Sequence, residues 1–588
     1  MNIINALKTI NLFNKKEPLI PLYTKWGEQI DYKNVLQEYP RPYLIRNHYL
    51  NLNGYWQYAI TTTKCFPQYF YGKILVPFSP ESILSTVNKQ LKPDEYLWYQ
   101  RFIVLKKNEQ KRYLLHFGAV DQTAEVFINE QLIFQHIGGY LPFEIDITDQ
   151  IKNGLNDITL CIQDKSDKSF HAKGKQRLKR GGMYYTAQSG IWQTVWIEEV
   201  SQTYIQDVKI VPDYDNSQID LTIKLNQPTN DPIEIKIEDQ HPIIINEKKK
   251  IINKTIKIDK IKPWSPDSPY LYDIIIKTSE DEVKSYFAMR VFSIEKDEHN
   301  LPRICLNHEP IFLNGVLDQG YWSDGLYTAP SDEALIYDIK KMKELGFNMI
   351  RKHIKIESAR WYYHCDRLGM IVWQDMVNSG HRYHTWFVTY LPTLLKSKRK
   401  KTSDKHRYLL SRHDKSSRDE FIYECKKTID HLSHFPCIST WVLFNEGWGQ
   451  FDTVNLTKMI KDIDPTRLVD SASGWFDQNC GDFRSEHHYF DKPKIIPDHR
   501  AFVISEYGGY AHQIKNHISS KTIYGYQVFD ELNNYQQSFQ ELLNNTIFPL
   551  IKDGLCAAIY TQLSDIEDEI NGILTYDRKV CKLNDKND

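Results

Sequence analysis

Two glutamates stand where a chain of this kind does chemistry. Trp441-Val442-Leu443-Phe444-Asn445-Glu446-Gly447 and Phe502-Val503-Ile504-Ser505-Glu506-Tyr507-Gly508 are each an apolar run of strand character that ends on a carboxylate and then meets glycine. A carboxylate after four or five buried residues sits at the C-terminal mouth of a strand, where a (β/α)₈ barrel keeps its chemistry. Two such mouths, each offering one Glu, are what hydrolysis of a glycosidic bond requires. The two are remote in sequence and must meet through the fold.

Around them stand further candidates. Tyr489 ends an apolar-to-polar run, and its phenol is positioned to donate to Glu506. Phe444 and Trp448 flank Glu446 and favour its protonated form by desolvation. His353 lies near the mouth of a second strand and reads as a substrate ligand. His487 and His488 are adjacent on a strand and point to opposite faces, so they cannot share one ion; His488 is counted with the sugar ligands. Tyr560, Gln562 and Asp565, along the last strand, are candidates for the floor of a sugar site, with core filling the competing reading for that strand.

All of this must be carried by a large scaffold. At 588 residues the chain exceeds one ordinary core and implies two to four domains. A formal net charge of −1 argues against polyanion binding as the main task, because that needs excess Lys and Arg. The 13 Trp and 37 Tyr suit the apolar faces of sugars, although most fill cores. Nine cysteines, an odd number with no C-x-x-C pair, read as reduced thiols of a cytoplasmic protein. The first residues lack a signal-peptide core, and no apolar window is long enough to span a membrane.

The rhythm of the chain changes twice. Residues 1–38 are a lead segment, of which 19–26 are apolar enough to dock. From 39 to 200, short strands punctuated by Gly138-Gly139 and Gly181-Gly182 indicate a jelly-roll-like β-sandwich. From 201 to 295, plain alternation such as Ile219-Asp220-Leu221-Thr222-Ile223-Lys224-Leu225 gives strands with one wet face, and a small immunoglobulin-like sandwich. From 296 to 588 the pattern becomes strand, helix, strand. Eight barrel strands are expected, ending near 314, 351, 375, 446, 471, 489, 506 and 562. A helix over 332–345 is opened by Ser331 and closed by Gly346. No helix separates the fifth strand from the sixth, and a long insertion, 378–419, with the basic run Lys396-Ser397-Lys398-Arg399-Lys400-Lys401, is expected to wall the site.

The order sandwich, sandwich, barrel resembles glycoside hydrolase family 2, which includes β-galactosidases, β-glucuronidases and β-mannosidases. The resemblance runs from about Pro40 to Lys579. It is carried by Leu52-Asn53-Gly54-Tyr55-Trp56, Gly190-Ile191-Trp192-Gln193-Thr194-Val195-Trp196, Pro263-Trp264-Ser265-Pro266, and the two glutamate motifs. It implies a multidomain β plus α/β fold and retention by double displacement, with Glu446 as acid and base and Glu506 as nucleophile. It implies further that Asn445 bonds the sugar 2-hydroxyl and that Arg351 stands close to the nucleophile. Some members bind a divalent cation near the position of Asp375, but the surrounding residues do not reproduce that ligand set, so neither an essential metal nor a cofactor is expected. The family's glucuronidases carry Asn-x-Lys-Gly where this chain has Glu569-Ile570-Asn571-Gly572, which favours a neutral sugar. A β-galactosidase is therefore expected first. Activity on a β-mannoside or α-L-arabinopyranoside, and then a β-glucuronide, are the alternatives, beside a carbohydrate-binding protein without turnover. The partner is a carbohydrate, with neither nucleic acid nor membrane, and assembly into a homo-oligomer stays open.

Overall fold

The computed structural model describes residues 18–384, 386–392, 402–489 and 492–583. The basic run 396–401 and the first part of the lead segment lie outside them.

The first third is all β. A six-stranded antiparallel sheet, built on Gly54–Thr61, Tyr96–Leu105 and Gly154–Gln163, faces a four-stranded one built on Lys111–Phe117 and Val195–Ser201. Alternate residues of both sheets meet in one apolar core of Trp56, Leu97, Tyr99, Leu115, Phe117, Val195 and Ile197, as the period of two requires. A second sandwich follows, with three strands (Ile205–Asp213, Gln218–Leu225, Ile251–Lys257) against four. The Ile side of the predicted alternation is inside: Ile219, Leu221, Ile223 and Leu225 are all buried.

The remainder is a parallel eight-stranded sheet: β1 (Leu313–Asp318), β2 (Met349–Lys352), β3 (Ile371–Asp375), β4 (Ile438–Val442), β5 (Leu468–Asp470), β6 (Phe483–His488), β7 (Ala501–Gly508) and β8 (Leu555–Thr561). Its order is 5-4-3-2-1-8-7-6, so β8 pairs with β1 and the sheet curls into a barrel. Backbone pairing is missing only between β5 and β6 among the described strands, where the sequence has no helix. There Ser485 Oγ reaches Asp470 Oδ2 at 2.8 Å instead. Helices α1 (Asp332–Glu344), α2 (Ala359–Leu368), α3 (Lys415–Leu432), α4 (Thr453–Ile463) and α5 (Leu532–Leu542) punctuate the strands. Ser331 caps α1 by accepting from the Ala334 amide, as expected.

Two details differ from the sequence reading. The first strand runs on to Asp318 rather than ending near 314. The fourth ends at Val442, so Glu446 lies four residues beyond it, tied only by a bridge between Asn445 and Ser473. Residues 19–26 do dock: Thr24 donates to buried Asp324 at 2.8 Å, and Trp26 packs edge-on against Trp322 and Tyr337.

Candidate active site

The C-terminal ends of β2 to β8 bring the polar residues of the barrel together. Glu506 lies inside β7, where the pairing with β6 skips Ser505: Glu486 faces Ile504 and His487 faces Glu506. That bulge lets two consecutive residues, Ser505 and Glu506, both point into the barrel, a known way to re-aim a side chain beside a site. Glu446 reaches the same space from the loop after β4, at φ +51°. Gly447 follows at φ +73°, and a Cβ there would meet the Phe476 ring at 2.2 Å, so no larger residue fits this turn. One carboxylate oxygen of Glu446, one of Glu506 and a ring nitrogen of His487 lie within 4.8 Å of one another.

The surroundings of the two carboxylates differ. Glu506 accepts from Arg351 at 3.2 Å and from the Tyr489 hydroxyl. Burial alone would raise its carboxyl, but the positive neighbours, His487 and Arg351 foremost with Lys175 behind them, outweigh that and hold it down to about 2. Burial and the neighbouring carboxylates push the Tyr489 phenol far up, so it stays a donor. Among the described residues, the side-chain partner of Glu446 is His487, whose Nδ1 lies 3.0 Å away.

The protons of that partner can be traced. Ser485 Oγ donates to Asp470, which as a carboxylate only accepts. Ser505 then donates to Ser485 at 2.6 Å and Ser473 to Ser505 at 2.8 Å. With the Ser473 hydrogen engaged, His487 Nε2 must be the donor across 2.9 Å to Ser473 Oγ. His487 Nδ1 in turn meets a Glu446 oxygen at 3.0 Å, within reach of a shared proton.

Arg351 is fully buried and organises the mouth. It gives two bonds to Asp375 (2.9 and 3.0 Å), one to Asn445 Oδ1 (2.9 Å) and one to Ser473 Oγ (2.9 Å). Asp375 also takes the His353 Nδ1 proton at 2.7 Å. Burial, reinforced by Lys175, lowers His353 to about 4. Its ring is neutral and its buried Nε2 is a lone pair without a partner.

The expected site residues divide. Glu446, Glu506, Asn445, Tyr489, Arg351 and His353 converge. Asp375 is buried and anchors Arg351 and His353, accepting from both. Trp448 is buried in an aromatic wall between Tyr184 and Tyr383, near Phe387 and Leu410 of the insertion. Its indole nitrogen lacks an acceptor. Gln562 holds Asn571 at 2.9 Å, with its own carbonyl oxygen unpartnered. Three expectations fail. His488 turns to Glu486 (3.2 Å) because it has the opposite parity to His487. Tyr560 packs on Tyr507 and on Phe539 of α5, outside the barrel. Asp565 is held by Lys582 Nζ and the Gly572 amide, at 2.7 and 2.8 Å. His487 and Ser473 were missed. His487 was legible by parity: once Tyr489 is chosen to face Glu506, the residue two earlier faces it too.

A second group, His381, His413 and Asp414, offers three possible ligand atoms within 4.8 Å at the foot of the insertion. A cavity of about 200 Å³ at the junction of the first sandwich and the barrel, lined by Arg41, Trp192 and Arg360 among others, includes none of the residues that converge with Glu446 and Glu506.

Three family models match in chain order: "Glycosyl hydrolases family 2, sugar binding domain" over residues 85–199, "Glycosyl hydrolases family 2" over 203–290 and "Glycosyl hydrolases family 2, TIM barrel domain" over 299–542. A β-galactosidase of Thermoanaerobacter pseudethanolicus is 27% identical over 301 residues, 48% of this chain and 40% of that protein. The chain thus matches well under two thirds of that relative's length. Among solved structures, a GH2 β-galacturonidase of Eisenbergiella tayi bound to galacturonate shares 17% identity (TM-score 0.68), covering 93% of this chain and 97% of its own. A β-D-glucuronidase of Dictyoglomus thermophilum shares 16% (TM-score 0.70), with the same coverage. At such identity the likeness is one of fold.

Proposed function

We propose that this chain, which belongs to glycosyl hydrolase family 2, is a retaining exo-β-glycosidase acting on a terminal neutral sugar, with a β-galactoside the first candidate. The observation that carries the reading is the approach of one oxygen of Glu446 to one of Glu506 within 4.8 Å. A retaining pair stands about 5–5.5 Å apart, whereas an inverting pair needs roughly 6.5–9.5 Å to admit a water.

The roles follow from the surroundings. Glu506, kept ionised by Arg351 and Tyr489, attacks the anomeric carbon. As that bond forms, the glycosidic C–O bond breaks and the leaving oxygen takes the proton held between Glu446 and His487. A water then gives its proton to Glu446 and attacks the same carbon. The ester bond breaks, and Glu506 is released as a carboxylate. Asn445, its carbonyl oxygen fixed by Arg351, keeps its NH₂ for the sugar 2-hydroxyl, a contact that gains strength in the transition state. His487 and Ser473 act as positioning residues for Glu446.

The test is a panel of nitrophenyl β-galactoside, β-mannoside, α-L-arabinopyranoside and β-glucuronide, with the anomer first released followed by NMR. Turnover of a neutral member with retained configuration supports the reading. Inversion, or no turnover of any member, overturns it.

A further inference from the structure

The pocket is not made by the barrel alone. The first sandwich sends the loop around Lys173–Arg177 across to it. The Lys173 amide donates to Asn378 O at 3.2 Å, and its ammonium donates to Gly380 O. Gly174, at φ +56°, fits so closely that a Cβ would lie 3.1 Å from Ile354 O and 2.8 Å from the Tyr327 hydroxyl. These contacts set the next residue, Lys175, beside His353 and the mouth of β2.

Lys175 is only 7% exposed. Its ammonium lies 6.0 Å from the centre of the Tyr185 ring and donates no hydrogen bond to any described residue. With most of the side chain enclosed and no protein acceptor, the ammonium turns its hydrogens toward the open space of the pocket, where a ligand can meet them. Its charge is felt by His353, Glu506 and Glu569, three groups around one space. Glu569 is buried too. It accepts from Tyr185, again of the sandwich, and from Asn571 Nδ2 at 3.0 Å, so its carboxylate is held in place. Each of its oxygens keeps a further lone pair.

Resting on the glycosidase reading above, we propose that Lys175 and Glu569 grip the ring hydroxyls remote from the anomeric carbon, Lys175 as donor and Glu569 as acceptor, and that this pair selects a neutral sugar over its uronic acid. A hydroxyl both gives and takes a hydrogen bond, so it satisfies an ammonium and a carboxylate together. A sugar carboxylate satisfies only the ammonium and meets Glu569 as a like charge.

The test is calorimetric binding of galactose, glucose, mannose, galacturonate and glucuronate to the full chain, which needs no turnover. Wild type should bind one neutral sugar more tightly than its uronate. Lys175→Met should weaken that sugar by about tenfold or more and Lys175→Arg much less, as expected for a hydrogen bond to a charged group. Glu569→Gln should narrow the gap between sugar and uronate. Unchanged melting temperatures would separate these effects from misfolding. Uronate preference in wild type, undiminished sugar binding in Lys175→Met, or binding of no monosaccharide would overturn the proposal. None of these outcomes bears on retention of configuration, so the reading of Glu446 and Glu506 is judged separately by the glycoside panel.

Discussion

The two carboxylates at the mouth of the barrel are alike in chemistry and unlike in support. Glu506 is part of a strand, placed by a bulge, and gripped by Arg351, Tyr489 and the field of His487 and Lys175. Glu446 hangs from a loop at a left-handed backbone position, and among the described residues its side chain bonds the His487 imidazole. The first arrangement fixes a charge in place. The second holds its carboxylate by far fewer contacts. On the proposed reading, double displacement asks for that division of labour, and the difference in support follows from where each residue falls relative to its strand.

The largest break in this comparison is Glu506→Gln. Removing the nucleophile from a concerted unit should lower kcat by about 10⁴–10⁶-fold, measured on the best nitrophenyl glycoside. Glu446→Gln should cost less, about 10²–10⁴-fold, the usual contribution of general acid–base catalysis, and should fall hardest on substrates with poor leaving groups.

Tyr489→Phe sharpens the contrast. A hydrogen bond to a charged group contributes about 1.5–3 kcal/mol, so kcat should fall by about 10–100-fold. The sign of the pH effect is set by the low position of Glu506. An ionised Glu506 is lost only as the pH falls toward about 2, and removing a donor raises that point, so the acid limb of kcat/KM should move up. Glu506's depressed value also means that its contacts stabilise the fold above the ordinary carboxylate range, and that this contribution fades as the pH drops through the folded value. An acid limb that does not move in Tyr489→Phe would show that the phenol does not hold the nucleophile's charge.

The smallest effect comes from parity. His487→Ala should reduce turnover clearly, though less than Glu446→Gln, while His488→Ala should leave it near wild type, because His488 meets Glu486 on the other face. Equal losses in the two variants would mean that the face assignment is wrong.

The same contrast explains what was legible beforehand. Apolar runs that end in Glu and Gly announced both carboxylates, and period-two and strand–helix rhythms announced the two sandwiches and the barrel. Tyr489 was legible as a strand-end phenol. The part of Asp375 was not, because its partners, Arg351 and His353, sit on the neighbouring strand. Nor was the strand end at Val442: the loop that carries Glu446 onward continues an apolar run, and only the φ of Glu446 reveals the turn. Tyr560 was misplaced because alternation alone does not say which parity of β8 faces inward. Lys175 was invisible, since a lysine in a Lys- and Arg-rich stretch of the first sandwich reads as solvated until the loop is seen to dock on the barrel.

The central claim is that Glu506 bonds to the sugar while Glu446 handles protons. A 2-deoxy-2-fluoro-β-glycosyl fluoride of the preferred sugar traps such an ester, and peptide mass mapping locates it. The account predicts one fluorosugar per chain, on the peptide bearing Glu506, with turnover lost in step. A label on Glu446, or no label on an enzyme that consumes the reagent, would contradict it.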